Sequence, residues 1–314
     1  MLALLFPGQG SQSVGMGRDV FEASPAARAV FEAADDALGR PLSKLCFEGP
    51  EDALVATENQ QPAILTVSVA LLRALEERCA VAPSYVAGHS LGEYSALVAA
   101  GAVGFDDAVR LVAARGRFMQ DTVPAGEGAM AAVLKSTPAE VEAACADAVR
   151  ATGRVVSPAN YNAPAQTVIA GHADAVEGAC AALAEAGGKV RPLAVSAPFH
   201  CALMEPAAER LAVELAKTPF ADPVPPVVGN VEAEPNGEGA RVAELLRRQV
   251  TAPVRFVESV RRLAALGVTH ALEVGPGRVL SGLVARIDRD VERANLGSAG
   301  DLEEAAAFVS AAQD

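Results

Sequence analysis

The sequence predicts an α/β fold: a mostly parallel sheet covered by helices on both faces, interrupted by a smaller inserted module. Three observations predict it. Short apolar runs of strand length alternate with helical stretches along most of the chain, and that order folds into parallel strand–helix–strand units. Residues 126–196 depart from it with the order β-α-β-β-α-β, the split pattern of a ferredoxin-like module. At 314 residues, half of them apolar, the chain is long enough for a large domain carrying a smaller one.

The elements follow in order. Leu2 to Phe6 is an apolar run closed by Pro7-Gly8-Gln9-Gly10, which reads as a buried parallel strand and a Gly-rich loop. Residues 25–38 have helical periodicity, with Gly39 as the stop. Pro62 opens a helix reaching about Cys79. Tyr85-Val86-Ala87 is a second short strand. It enters Gly88-His89-Ser90-Leu91-Gly92, and a helix over 91–100 ends at Gly101. A helix at 106–120 completes the first part. In the insert the reading is strand 129–134, helix 138–150, strands 154–158 and 166–170, helix 173–186 and strand 189–195. Beyond Pro198 come a helix near 202–217, strand 227–231, helices 241–249 and 254–266, strand 270–274 and a helix at 278–287. The domain expectation is therefore 1–125 with 197–314 as one unit and 126–196 as the other.

Composition narrows the function. The net charge of −13 lacks the basic footprint of a nucleic-acid binder and offers nothing to an anionic membrane. Five scattered cysteines without a C-x-x-C pair read as reduced thiols of a cytoplasmic protein rather than a zinc site, so no metal is expected. The N-terminus lacks a basic n-region, and no span of about 18 uncharged apolar residues occurs, so neither a secretion signal nor a membrane span is expected.

Ligands of open parallel sheets bind beyond the carboxyl ends of the strands. The loops at 7–12, 88–92, 196–201 and 275–277 all follow predicted strands and are candidates for one shared site. G-x-S-x-G at 88–92 fits a nucleophile elbow, in which flanking glycines permit a sharp strand-to-helix turn. The orphan amide of Leu91 would then face a developing oxyanion. A chance match in a Gly-rich turn is the competing reading. Ser90 needs a base, and the chain has four histidines. His89 adjoins the serine but points elsewhere in a tight turn. His172 reads as a surface turn residue and His270 as structural. His200 remains, against the alternative of an ordinary loop histidine. No well-placed acid lies between 90 and 200 outside the insert, so a dyad with a neutral carbonyl orienting the imidazole is expected.

Arg115 shares a helical stripe with Ala108, Leu111, Val112 and Met119. A guanidinium on an apolar stripe must find partners. Either it forms an internal salt bridge, or it grips a substrate carboxylate in two-pronged fashion. Gly8-Gln9-Gly10 lacks the G-K-[ST] and G-x-G-x-x-G patterns of phosphate loops and suits an oxyanion-hole amide better.

Several segments together resemble the malonyl-CoA:acyl carrier protein transacylase family. They are FPGQGSQ at 6–12, NQQPAIL at 59–65, GHSLGEYSAL at 88–97, RGRFMQ at 115–120, NYNAPAQTVIAG at 160–171, SAPFHCALM at 196–204, QVTAPVRF at 249–256 and EVGPG at 273–277. The resemblance implies an α/β-hydrolase-like parallel-sheet domain with an inserted ferredoxin-like (βαββαβ) subdomain. It implies ping-pong transfer of malonyl from malonyl-CoA, through an ester on Ser90, to the phosphopantetheine thiol of an acyl carrier protein. His200 would be the base, the Gln249 carbonyl its orienting group, Gln9 and Leu91 the oxyanion donors and Arg115 the carboxylate grip. No permanently bound cofactor and a monomeric state are expected. Lys189, Arg191, Arg247, Arg248, Arg261 and Arg262 are candidates for docking an acidic carrier protein. The rival readings are a serine esterase or thioesterase, an idle docking module, and a trans-acting acyltransferase of a polyketide synthase or malonate decarboxylase. Malonyl against methylmalonyl stays open.

Overall fold

Two sheets organise the chain. The computed structural model describes residues 1–124, 126–195 and 197–313. The strands are β1 (Leu2–Phe6), β2 (Tyr85–Gly88), β3 (Gly128–Leu134), β4 (Val156–Ala163), β5 (Gln166–His172), β6 (Lys189–Pro192), β7 (Val227–Val228), β8 (Pro235–Asn236), β9 (His270–Val274) and β10 (Glu292–Leu296). The larger sheet has the order β10-β9-β1-β2-β7-β8. Its first five strands run parallel, and β8 closes one edge antiparallel to β7.

The central strand shows why the sheet is covered on both sides. Leu2, Leu4 and Phe6 face one apolar cluster, while Ala3 and Leu5 face another. Alternation of two buried faces turns the strand into an uninterrupted apolar run. Against one face lies the helix Thr57–Glu76, buried on every side from Gln60 to Leu72. An all-round apolar helix is stable only inside a core.

The smaller sheet has the order β4-β5-β3-β6, antiparallel throughout, with helices Pro138–Thr152 and Ala173–Glu185 against it. This is the ferredoxin-like arrangement. Ala125 and Ser196, where the domain expectation places its boundaries, lie outside the described residues, as does Asp314.

Some elements differ from the reading. The helix expected to open at Pro62 begins a turn and a half earlier, at Thr57. Proline leaves the carbonyl four residues back without a partner, and Arg40 Nη2 donates to that Glu58 oxygen at 3.4 Å. The strand expected over 189–195 stops at Pro192. Strand 227–231 shortens to Val227–Val228. The edge strands β8 and β10 and the helices Arg18–Ala23, Leu42–Glu48, Glu51–Val55 and Leu302–Gln313 were not legible. Most of these are too short or too exposed to leave a periodic signature. Among the described residues, no helix is long and apolar enough to cross a membrane.

Candidate active site

The site begins at the carboxyl end of β2. Ser90 takes φ 52°, a left-handed conformation strained for a residue with a side chain. Two glycines make the turn possible. A Cβ on Gly88 would lie 1.9 Å from the Gly92 carbonyl carbon, and one on Gly92 would lie 2.0 Å from the Phe6 carbonyl oxygen. The helix Gly92–Ala99 starts at once, and Ser90 stands at its N-terminus.

His200 meets it from the loop after β6. Its Nε2 lies 2.7 Å from Ser90 Oγ, and its Nδ1 lies 2.8 Å from the Gln249 backbone oxygen. The carbonyl can only accept, so Nδ1 carries the proton and Nε2 is left free to accept from the serine. Burial and the neighbouring Arg115 charge pull the His200 pKa down to about 3. The imidazole therefore rests neutral, as a base must. The other three histidines do other things. His89 Nε2 pairs with Asn162 Oδ1 at 2.8 Å, with its ring against Phe256. His172 Nδ1 accepts from the Val155 amide. His270 sits beside Thr269 and Glu292.

Arg115 arrives from the helix Phe105–Thr122 and is 1% exposed. Among the described residues it forms no ion pair. Its Nη1 donates to Gln61 Oε1 at 2.7 Å, and its Nη2 donates to Gln249 Oε1 at 3.0 Å and to Ser90 Oγ at 3.1 Å. Its Nε is buried without a partner. The internal salt bridge, one of the two readings, has no counterpart among the described residues. The helix can bring the guanidinium this close because Gly116 packs backbone to backbone against Thr57. A Cβ there would lie 2.4 Å from the Thr57 oxygen.

Sequence reasoning missed three residues that hold this constellation. Gln61 supplies an acceptor to Arg115. Asn230, beyond β7, accepts from the Ser90 amide at 2.6 Å and donates to the Gly88 oxygen at 2.6 Å, clasping both sides of the elbow. Glu93, 3% exposed, accepts from the Asn230 amide and from Gln249 Nε2. Burial pushes its carboxyl upward, and those two donors and the Arg115 charge oppose the shift. The signal for Gln61 and Glu93 was present, since a Gln beside a helical proline and an acid three residues after the elbow serine are polar residues on apolar faces.

A cavity of about 110 Å³ joins these groups, with Gln9, Ser90, Arg115 and His200 on its wall. The inserted module contributes Met130 and Asn160, and the segment after β6 contributes Leu193 and Val195. The Gln9 and Leu91 N–H groups donate to no acceptor among the described residues. An outer cleft of about 740 Å³ shares Gln9, Leu193 and Val195 with it. Of the four candidate loops, 275–277 does not reach the cavity. Gly275 instead packs against Pro7 and Ser68, where a Cβ would lie 2.6 Å and 2.4 Å from their side chains, so this loop braces the one carrying Gln9. Among the described residues, no group of three or more His, Cys, Asp or Glu is placed to hold a metal.

A serine at an elbow, a neutral imidazole on its hydroxyl and a guanidinium beside both define an α/β enzyme built for acyl transfer. The family model of the acyl transferase domain matches residues 3–303. The malonyl CoA-acyl carrier protein transacylase of Escherichia coli (strain K12) is 52% identical over 286 residues, covering 91% of this chain and 92% of that protein. That of Bacillus subtilis (strain 168) is 50% identical, covering 92% and 90%. The solved transacylase from Coxiella burnetii superposes with a TM-score of 0.95 at 41% identity, covering 98% and 97%. A malonyl-transacylase solved with a type II PKS acyl-carrier protein gives 0.94 at 45% identity, covering 98% and 99%. The chain belongs to the acyl transferase family and, within it, to the malonyl CoA-acyl carrier protein transacylases.

Proposed function

We propose that the chain moves malonyl from malonyl-CoA to the phosphopantetheine thiol of an acyl carrier protein through an ester on Ser90. His200 Nε2 takes the hydroxyl proton as Ser90 Oγ adds to the thioester carbonyl. The Gln9 and Leu91 amides receive the oxyanion. Collapse breaks the carbon–sulfur bond, and the imidazolium returns its proton to the departing coenzyme A thiolate. The carrier-protein thiol, deprotonated by His200, then adds to the seryl ester; collapse breaks the ester carbon–oxygen bond, and the imidazolium returns its proton to Ser90 Oγ. Gln249 orients the base through its carbonyl, and Arg115 holds the free carboxylate of the acyl group.

One observation carries the reading. A buried guanidinium stands 3.1 Å from the nucleophile with carboxamide oxygens and a hydroxyl, but no carboxylate, as partners. A buried charge so paired is incomplete, and an acyl chain ending in a carboxylate completes it. The outer cleft supports the choice of thioester. Gln9, Gln12, Gln60 and Gln120 line it with apolar residues, Asp52 is its one charged side chain among the described residues, and no Lys or Arg is among them, which suits an amide-bearing arm such as pantetheine. We place the catalytic unit in 1–125 and 197–314 and the module roofing the pocket in 126–196, and we place the activity in the cytoplasm, carried by a monomer.

The test is intact mass after incubation with malonyl-CoA. A malonyl adduct on the native chain, absent from Ser90→Ala and discharged by holo-carrier protein, is the expected result. Rapid release of free malonate without transfer would instead make the chain a thioesterase.

A further inference from the structure

The base Arg115 and the acid Glu93 are buried within one polar network, and they do not touch. The carboxamide of Gln249 stands between them. Its Oε1 accepts from Arg115 Nη2 at 3.0 Å, and its Nε2 donates to Glu93 Oε2 at 2.8 Å. The amide dipole is thus turned to favour both charges at once. The same Nε2 lies 3.0 Å from the Ser90 carbonyl oxygen, which fixes this orientation. The Asn230 amide donates to the same Glu93 oxygen at 2.9 Å. The other oxygen, Oε1, faces a void of about 10 Å³ between Gly229 and Leu97, too small for more than one water. Among the described residues, Arg115 is the cation whose charge acts on Glu93.

We propose that Glu93 is the counter-charge of Arg115, coupled to it through Gln249, and that it limits how tightly the site holds a carboxylate. It is a positioning residue, since it reaches neither substrate nor the reacting atoms. The inference rests on Arg115 binding the acyl carboxylate. The physical reason for the indirect link is plain. A direct salt bridge would fill the guanidinium fork with a protein carboxylate and leave none of it for substrate. With no counter-charge, a buried cation would bind the carboxylate too firmly for an acyl group that must leave again, and its field would fall unopposed on His200. One amide between the charges steadies the guanidinium and keeps its outer edge open.

Glu93→Gln isolates the charge, because a carboxamide oxygen in the place of Oε2 can accept the same two N–H groups. Malonate serves as the probe, as a competitive inhibitor against malonyl-CoA. In Glu93→Gln its Ki falls about fivefold and kcat falls about tenfold, a split that follows from removing a nearby opposing charge. A role confined to hydrogen bonding would leave both unchanged, and damage to the site would raise Ki. Either result overturns the proposal. Arg115→Ala separates the two ideas. If it does not weaken malonate inhibition, the carboxylate reading itself is wrong. If it does, and Ki is unmoved in Glu93→Gln, only the counter-charge fails. Should Glu93→Gln not fold, the double variant with Arg115→Ala decides by stability. Removing both charges must restore folding that one removal destroys, as coupled residues require, and failure to restore it overturns the pairing.

Discussion

At the scale of single residues the site works by keeping His200 neutral and Arg115 charged within one small pocket. Burial does the first, with help from the Arg115 charge; it works against the second, and Tyr94 and Glu93 oppose it there. The low His200 pKa of about 3, set first by burial and then by Arg115, lies well under the ordinary 6.5. Between these values the unfolded chain binds a proton at this position and the folded one does not. The unfolded state therefore gains relative to the native one as pH falls through 6.5, and the loss levels off near 3. Urea unfolding of the native chain and of His200→Ala, compared from pH 7 to pH 4, should show the native chain losing its relative stability as pH falls. A gap that stays constant would place His200 in an ordinary environment. Arg115→Ala should cost malonyl transfer about a hundredfold or more, the scale of a lost charged, two-pronged contact. Acetyl transfer, which has no carboxylate to place, should change far less. Parallel losses in kcat/KM for the two thioesters would remove the carboxylate role.

At the scale of elements the constellation depends on how closely two helices approach. Gly116 lets Phe105–Thr122 lie against Thr57 at the start of Thr57–Glu76. That contact sets Arg115 opposite Gln61. Gly116→Ala forces a Cβ into backbone that cannot move as a side chain would. It should cost about 1–3 kcal/mol of stability by overpacking and raise KM for malonyl-CoA by swinging the guanidinium off its acceptors. Thermal unfolding with malonyl and acetyl kinetics on one preparation would check both. An unchanged melting point would show the helices free to part.

These helices also mark how far the sequence could be read. The apolar run at β1, the elbow glycines and the Arg115 stripe announce themselves, because local sterics and helical periodicity act over a few residues. The clasp of Asn230 on the elbow and the Glu93–Gln249–Arg115 chain join positions more than a hundred residues apart, and no local pattern encodes a meeting of that kind. Pro62 misled for a related reason. A proline normally marks a helix's first turn, and here Arg40, from another helix–loop junction, supplies the partner that allows an extra turn before it.

At the scale of the whole molecule, the proposed transfer asks this acidic chain to receive a carrier protein, expected to be acidic as well, near its cleft. The candidates for that contact are not equal. Arg247, Arg248 and Arg262 pair with Glu205, Glu232 and Glu234, so their charge is largely spent within the protein. Lys189 and Arg191 lie exposed on the edge strand β6, whose continuation Leu193–Val195 forms part of the cleft wall. Under the proposed function, a cation there stands where it would attract a partner whose arm reaches toward Ser90. Among the described residues the cleft lining holds no Lys or Arg, so steering must come from its rim. Replacing both with glutamate should raise KM for holo-carrier protein about tenfold at low salt and leave kcat unchanged. The difference should shrink as ionic strength rises and the screening length falls below ~8 Å. Transfer to free pantetheine, which presents no acidic surface, should be untouched. If both acceptors suffer equally, the two residues shape the cleft instead of attracting the carrier protein. If neither suffers, docking belongs to another face.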